Sequence, residues 1–215
     1  LPHDAMLAMK RSPDSSSGAN TGYFEGENIC YIKEFTVPAA EKDKVHYLYF
    51  DGVYTNPSFV INGAFVKKFH HGYVPCCMRI DKYIRYDEPN VLKVSIRGTA
   101  LPNSRWYSGQ GIYRDAWLLT GDRLHISQDG LHVTTLDCSE ELAQIEVTAD
   151  VWNEGPSARE GYAELTVLDG SGKVVAERKA RFYADANGKV LVRQRLTLDK
   201  PNLWDVDSPN LYSVK

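Results

Sequence analysis

Apolar and polar residues alternate with a period of two through most of this chain, and turn signals cut the alternation about every 10 residues. Residues 91–96 (VLKVSI) and 143–151 (AQIEVTADV) show it most cleanly. Residues 29–37, 45–50, 112–119, 131–136, 161–168, 173–180 and 190–198 have the same strand-like character. Asn62-Gly63 between two short apolar runs is the strongest short hairpin signal, with residues 59–61 and 64–66 as its arms. No stretch of about 10 residues carries the i, i+3, i+4 repeat of an amphipathic helix. A chain patterned this way buries one face of each strand, which predicts β-sandwich packing. With 215 residues it is long enough for two sandwiches. A polar turn at Thr120-Gly121-Asp122 follows an apolar strand and marks the boundary.

Within residues 143–151, the inward set is Ile145, Val147, Ala149 and Val151, and the outward set is Gln144, Glu146, Thr148 and Asp150. This split sends both carboxylates to solvent. The first 22 residues read as a short extended or helical lead-in followed by a polar loop, Ser12 to Gly18.

Charge excludes one class of partner. With 25 basic and 28 acidic residues, the net charge is −3, so there is no basic excess to neutralise phosphates and no nucleic-acid partner is expected. No apolar run approaches the roughly 18 residues of a membrane helix, so no membrane partner is expected either. The opening residues, Leu1-Pro2-His3-Asp4, carry neither an initiator Met nor a signal-peptide pattern. They read as an internal start or as the residue after a removed signal.

The usual chemical constellations are missing. Four cysteines, two of them adjacent at Cys76 and Cys77, form neither a disulfide scaffold nor a C-x-x-C pair, and free thiols are expected. His70 and His71 diverge in a strand, and His125 and His132 have an odd spacing that separates them in a regular strand. Metal binding needs three or four convergent ligands, so the histidines read as surface or core residues and no metal or other cofactor is expected. Gly109-Gln110-Gly111 lacks the trailing glycine and the βαβ setting of a nucleotide site and reads as a tight turn. Glu25 and Glu27, with period two, could share a face, and loop solvation is their simpler account.

One segment stands apart. Residues 101–114 place two arginines, three aromatics, an Asn and two glycines in a loop that enters a strand. Trp and Tyr offer flat apolar faces with a polar edge, suited to stacking on sugar rings. Arg and Asn donate to hydroxyls. On residue chemistry alone a core-capping loop is the slightly favoured account, with Trp106 plugging the end of a sandwich and Arg114 paired with an acid.

Ser104-Arg105-Trp106-Tyr107-Ser108-Gly109-Gln110-Gly111-Ile112-Tyr113-Arg114-Asp115-Ala116-Trp117-Leu118 resembles the end of the N-terminal sugar-binding domain of glycoside hydrolase family 2, and its bacterial β-galactosidase branch most closely. Further pieces fall in the family's order: Leu1-Pro2-His3-Asp4-Ala5-Met6, Gly22-Tyr23-Phe24-Glu25-Gly26, Tyr31-Ile32-Lys33-Glu34-Phe35, Phe50-Asp51-Gly52-Val53-Tyr54, Val60-Ile61-Asn62-Gly63, His71-Gly72-Tyr73-Val74-Pro75 and Asn90-Val91-Leu92-Lys93-Val94. Leu203-Trp204 followed by Ser208-Pro209-Asn210-Leu211-Tyr212 resembles the close of the family's second domain.

The resemblance implies a jelly-roll sugar-binding domain over residues 1–121 and an immunoglobulin-like sandwich over residues 122–215. It also implies that the glutamates of retaining hydrolysis lie on a TIM barrel absent from this chain, so no catalytic residue is carried over. The implied partners are a β-galactoside or related glycoside and that downstream barrel. Asn103, Arg105 and Trp106 are, on the resemblance, the loop residues directed toward substrate. The best-known β-galactosidases carry an acid in this loop that helps hold a sodium ion and the sugar, and between Gly98 and Trp106 this chain departs from that pattern and has none. A non-catalytic front region of a family 2 glycosidase is therefore expected, with a free-standing carbohydrate-binding module and a spacer as the alternatives.

Overall fold

A computed structural model describes residues 1–98 and 106–215. It divides into two compact units, Leu1–Gly121 and Asp122–Lys215. Strands supply the regular structure of both, joined in the first by short 3-10 turns. Among the described residues, no helix is long and apolar enough to cross a membrane.

The first unit contains β1 (Ile29–Thr36), β2 (Val45–Phe50), β3 (Ser58–Ile61), β4 (Ala64–Lys68), β5 (Cys76–Arg79), β6 (Pro89–Ile96) and β7 (Ala116–Gly121). They form two antiparallel sheets, ordered β1-β6-β3-β4 and β5-β2-β7. This is a jelly-roll-type sandwich. Its core draws on both sheets, and Phe59, fully buried, packs its ring 5.0 Å from Phe50 and 5.8 Å from Phe69.

The hairpin at Asn62-Gly63 forms as its sequence predicts, with φ of 51° and 82°. The Asn62 amide nitrogen donates to Tyr83 O at 2.9 Å and to Asn90 Oδ1 at 2.8 Å, and Asn62 Oδ1 accepts the Val91 N–H at 3.0 Å. The turn is thereby sewn to β6. His46 is a fully buried core histidine, its ring nitrogens 3.1 Å from Thr120 Oγ1 and 3.1 Å from Glu41 O.

Two features of this unit depart from the sequence pattern. Strand β5 is only four residues long and carries Cys76 and Cys77, too short for its alternation to register. Strand β7 starts at Ala116 and not at Ile112. Residues 110–112 are engaged elsewhere: the His3 N–H donates to Ile112 O at 2.8 Å, the Ala5 N–H to Gln110 O at 2.7 Å, and Gly111 exchanges two 2.9 Å bonds with Tyr54. The chain's first residues thus form a strap across its 110–112 segment, with Met6 fully buried beneath it.

The second unit contains β8 (Leu124–Cys138), β9 (Leu142–Asn153), β10 (Arg159–Leu168), β11 (Val174–Ala184), β12 (Gly188–Asp199) and the short β13 (Ser213–Val214). Its sheets are ordered β12-β9-β8 and β11-β10-β13, an immunoglobulin-like arrangement. Ile145, Val147, Ala149 and Val151 are buried as the alternation predicts.

Two readings need correction here. Glu146 and Asp150 do lie on the outer face, but they are half-buried and partnered. Glu146 holds Arg195 at 2.7 Å, and Asp150 Oδ2 accepts the Trp152 indole N–H at 2.8 Å. His125 and His132 are not on opposite faces. A register shift between Ile126 and Leu131 pairs His125 with Trp152 and His132 with Thr148, which share one side of β9. Four β9 positions still part them, about 13 Å, too far for one metal ion.

Candidate functional site

The loops at residues 51–57, 69–75 and 106–115 come together in the first unit. Asn103 and Arg105 lie outside the described residues, and Trp106 is the one expected site residue whose surroundings are defined. Trp106 is 60% exposed, so it does not plug the sandwich. Its indole N–H donates to Tyr73 Oη at 3.3 Å. Tyr73, also exposed, packs its ring at 5.2 Å and a 51° tilt against the buried ring of Tyr54 and lies 6.1 Å from the His71 ring.

Two glycines make this packing possible. A side chain at Gly72 would run into the ring of Tyr54. A Cβ at Gly52 would come within 2.5 Å of Tyr113 Cζ. With that space open, Tyr113 reaches across, and its hydroxyl donates to Gly72 O at 2.8 Å. Burial, first of several causes, pushes its phenol pKa up. Arg114 lies 5.7 Å from the Tyr113 ring centroid and 3.7 Å from Asp51, the pairing with an acid that a capping role calls for.

The inner end of the loop is anchored by a residue that sequence reasoning left unassigned. Asp4 Oδ2 accepts the Tyr107 hydroxyl at 2.7 Å, and Asp4 Oδ1 accepts the N–H of Gln110 at 2.9 Å and of Met6 at 3.0 Å. Burial and then the Asp4 carboxylate push the Tyr107 phenol far above the usual range. The Gln110 side chain is itself buried and brackets the backbone of Glu27, accepting from its N–H and donating to its carbonyl. Glu25 and Glu27 stand exposed, which favours their reading as solvated loop residues.

This arrangement binds more readily than it catalyses. Trp106 and Tyr73 offer aromatic faces with a hydroxyl at their edge, the combination that suits a sugar ring. Among the described residues, the nearby carboxylates are engaged, Asp4 with the donors of Met6, Tyr107 and Gln110 and Asp51 with Arg114. Among the described residues, no group of three or more His, Cys, Asp or Glu converges. A separate groove of about 390 Å³ is lined by Tyr31, Phe35, Phe50, Val94, Ile112 and Trp117 among others, a mostly apolar wall poorly matched to hydroxyl-rich ligands.

Comparison with known proteins gives this surface its context. The family model for glycosyl hydrolases family 2 matches residues 124–215. A β-galactosidase of Bacteroides ovatus is 36% identical over 214 residues, covering 100% of this chain. The second unit matches glycoside hydrolase family 2, and the whole chain is similar to proteins of that family.

Other relatives of this chain carry a different activity in their names. A putative β-glucuronidase of Formosa agariphila is 28% identical over 215 residues. Among solved structures, a family 2 glycosyl hydrolase of Bacteroides cellulosilyticus superposes on the whole chain with a TM-score of 0.94 at 29% identity. A β-glucuronidase of Bacteroides uniformis does so with a TM-score of 0.85 at 25% identity. The chain spans 25% of the B. ovatus protein, 20% of the F. agariphila protein, and 28% and 26% of the two structures.

Asp4, Tyr54 and Tyr73 are the residues of this cluster that sequence chemistry missed. Signals existed for some of them. Gly52 and Gly72 each stand beside a turn or an aromatic, and such glycines mark close approach of another group. Asp4 had no local signal, because two of its partners lie more than 100 residues away.

Proposed function

We propose that this chain is the non-catalytic front of a retaining β-glycosidase, with β-galactosides as its substrate class. In this reading Leu1–Gly121 is the sugar-binding jelly-roll domain and Asp122–Lys215 the immunoglobulin-like domain. Together they brace a catalytic barrel in the same protein. The observation that carries the reading is the 36% identity to the B. ovatus β-galactosidase over 100% of this chain and 25% of that protein. The loop cluster supports it. Retaining hydrolysis needs two carboxyl groups about 5–5.5 Å apart, one of them a proton donor, whereas Asp4 and Asp51 are committed to structural partners. The chemistry is therefore assigned to the barrel, and Trp106 with Tyr73 to contact with the sugar.

The test compares the purified chain with the longer protein that contains it, on aryl β-galactoside, β-glucuronide and β-mannoside. The expected result is no turnover by the chain and turnover of the galactoside by the longer protein. Trp106→Ala should raise KM for the galactoside about 2- to 10-fold, the worth of one aromatic contact. Turnover by the chain alone would overturn the non-catalytic assignment, and exclusive turnover of the glucuronide would overturn the substrate class.

A further inference from the structure

Asp4 sits in the crook of a loop from the far end of its own domain. Among the described residues, its donors are the N–H groups of Met6 and Gln110 and the hydroxyl of Tyr107, all uncharged. Gly109, at φ 66°, passes so close that a Cβ there would lie 2.8 Å from Asp4 Oδ2. Tyr107 is held on a second side, its ring 6.2 Å from that of Phe24, which in turn carries the Arg11 guanidinium at 5.4 Å. Hydrogen bonds to an ionised acceptor are roughly twice as strong as neutral ones, so the carboxylate is the strongest single attachment in this group.

Trp106 directly precedes Tyr107 in the chain. Its backbone is set by where Tyr107 is anchored, and its indole meets Tyr73 at 3.3 Å. We propose that Asp4 is a positioning residue: through Tyr107 and Gln110 it fixes where Trp106 stands, and so shapes the aromatic surface formed with Tyr73. That this surface meets a glycoside rests on the function proposed above; that Asp4 sets it does not.

Two measurements separate these statements. The first labels the chain with 5-fluorotryptophan and follows Trp106 by 19F NMR, its resonance assigned with Trp106→Phe. Trp117, Trp152 and Trp204 serve as internal controls. Tyr107→Phe and Asp4→Ala should each move and broaden the Trp106 resonance while the other three stay in place. Asp4→Asn, which keeps the Oδ1 acceptor and offers its amide to the phenol oxygen, should restore most of the wild-type signal. A Trp106 resonance unmoved in Tyr107→Phe and Asp4→Ala would overturn the proposal. So would equal movement of all four resonances in both variants, because Asp4 would then be a general brace.

The second measurement places Tyr107→Phe in the longer protein, with an aryl β-galactoside as substrate. A rise in KM of about 2- to 10-fold with kcat within about 2-fold is expected, matching Trp106→Ala and not adding to it. An unchanged KM beside a shifted Trp106 resonance would leave the Asp4 anchor standing and overturn the sugar contact.

Discussion

The two units hold their strands together by different means. In Leu1–Gly121 the strands run 4–8 residues, and the loops between them are fastened by buried polar side chains, His46, Asn90 and Gln110 among them. In Asp122–Lys215 the main strands run 10–15 residues, and a thinner core of Ala, Val, Leu and Ile separates them. That unit ties its outer faces with exposed ion pairs, Lys179 with Glu164 at 2.6 Å and Arg181 with Glu160 at 2.5 Å. Long ladders need only a repeating pattern, which the strands of the second unit supply. Short strands joined by loops need particular side chains at particular places, and the same loops present the aromatic surface.

The contrast predicts a graded set of effects. Phe59→Ala should be the most severe, costing the first unit about 3–5 kcal/mol. Chemical denaturation followed at Trp117 and Trp152 separately would show the first transition moving while the second keeps its midpoint. Loss of both together would break the comparison. Gly52→Ala comes next, at about 1–3 kcal/mol from overpacking against Tyr113. Gly52→Ala combined with Tyr113→Ala should recover part of that loss, again by denaturation midpoint.

Alkaline pH offers a third, smaller separation. Burial raises the Cys76 thiol from 9.0 to about 11, and it also raises Tyr31, Tyr107 and Tyr113 above 10.0. All four groups belong to the first unit. They hold their protons more tightly folded than unfolded, so their stabilising effect is complete below pH 9 and declines as pH rises through the folded values. Melting curves between pH 8 and pH 11 should show the first unit falling faster than the second, and Tyr107→Phe should lessen the fall. The smallest effect is expected at Lys179→Met. Glu164 is held below, and Lys179 above, its usual range by their mutual hydrogen bond, yet both are fully solvated. The melting temperature should stay unchanged at physiological salt.

Legibility in the sequence follows the same divide. The alternation in residues 143–151 and the Asn62-Gly63 turn are local signals, and both led to the observed structure. The histidine faces on β8 were misread because the register shift after Ile126 resets parity, and counting residues does not reveal a shift. The start of β7 was misread because residues 110–112 pair with residues 3–5 and Tyr54, partners that no window of neighbouring residues contains. Trp106 was legible as a candidate because its residue type advertises its chemistry. Asp4 was not, because a carboxylate near a chain's first residues looks like any solvated acid until the fold delivers its partners.

The strap across residues 110–112 also sets an order of events during synthesis. At roughly 5–20 residues per second, His3 and Ala5 wait about 5–20 s before Gln110 and Ile112 exist to receive them. Meanwhile the hairpin of β3 and β4 closes within its own few residues. Met6 must remain exposed to water or to a chaperone over that interval. The Asp4 anchor is then among the last contacts the first unit makes. When it does form, the second unit is only beginning to emerge, and its hairpins β8–β9 and β10–β11 close between sequence neighbours with no comparable delay. A nascent chain stalled near residue 105 would therefore leave residues 3–5 without their 110–112 partners.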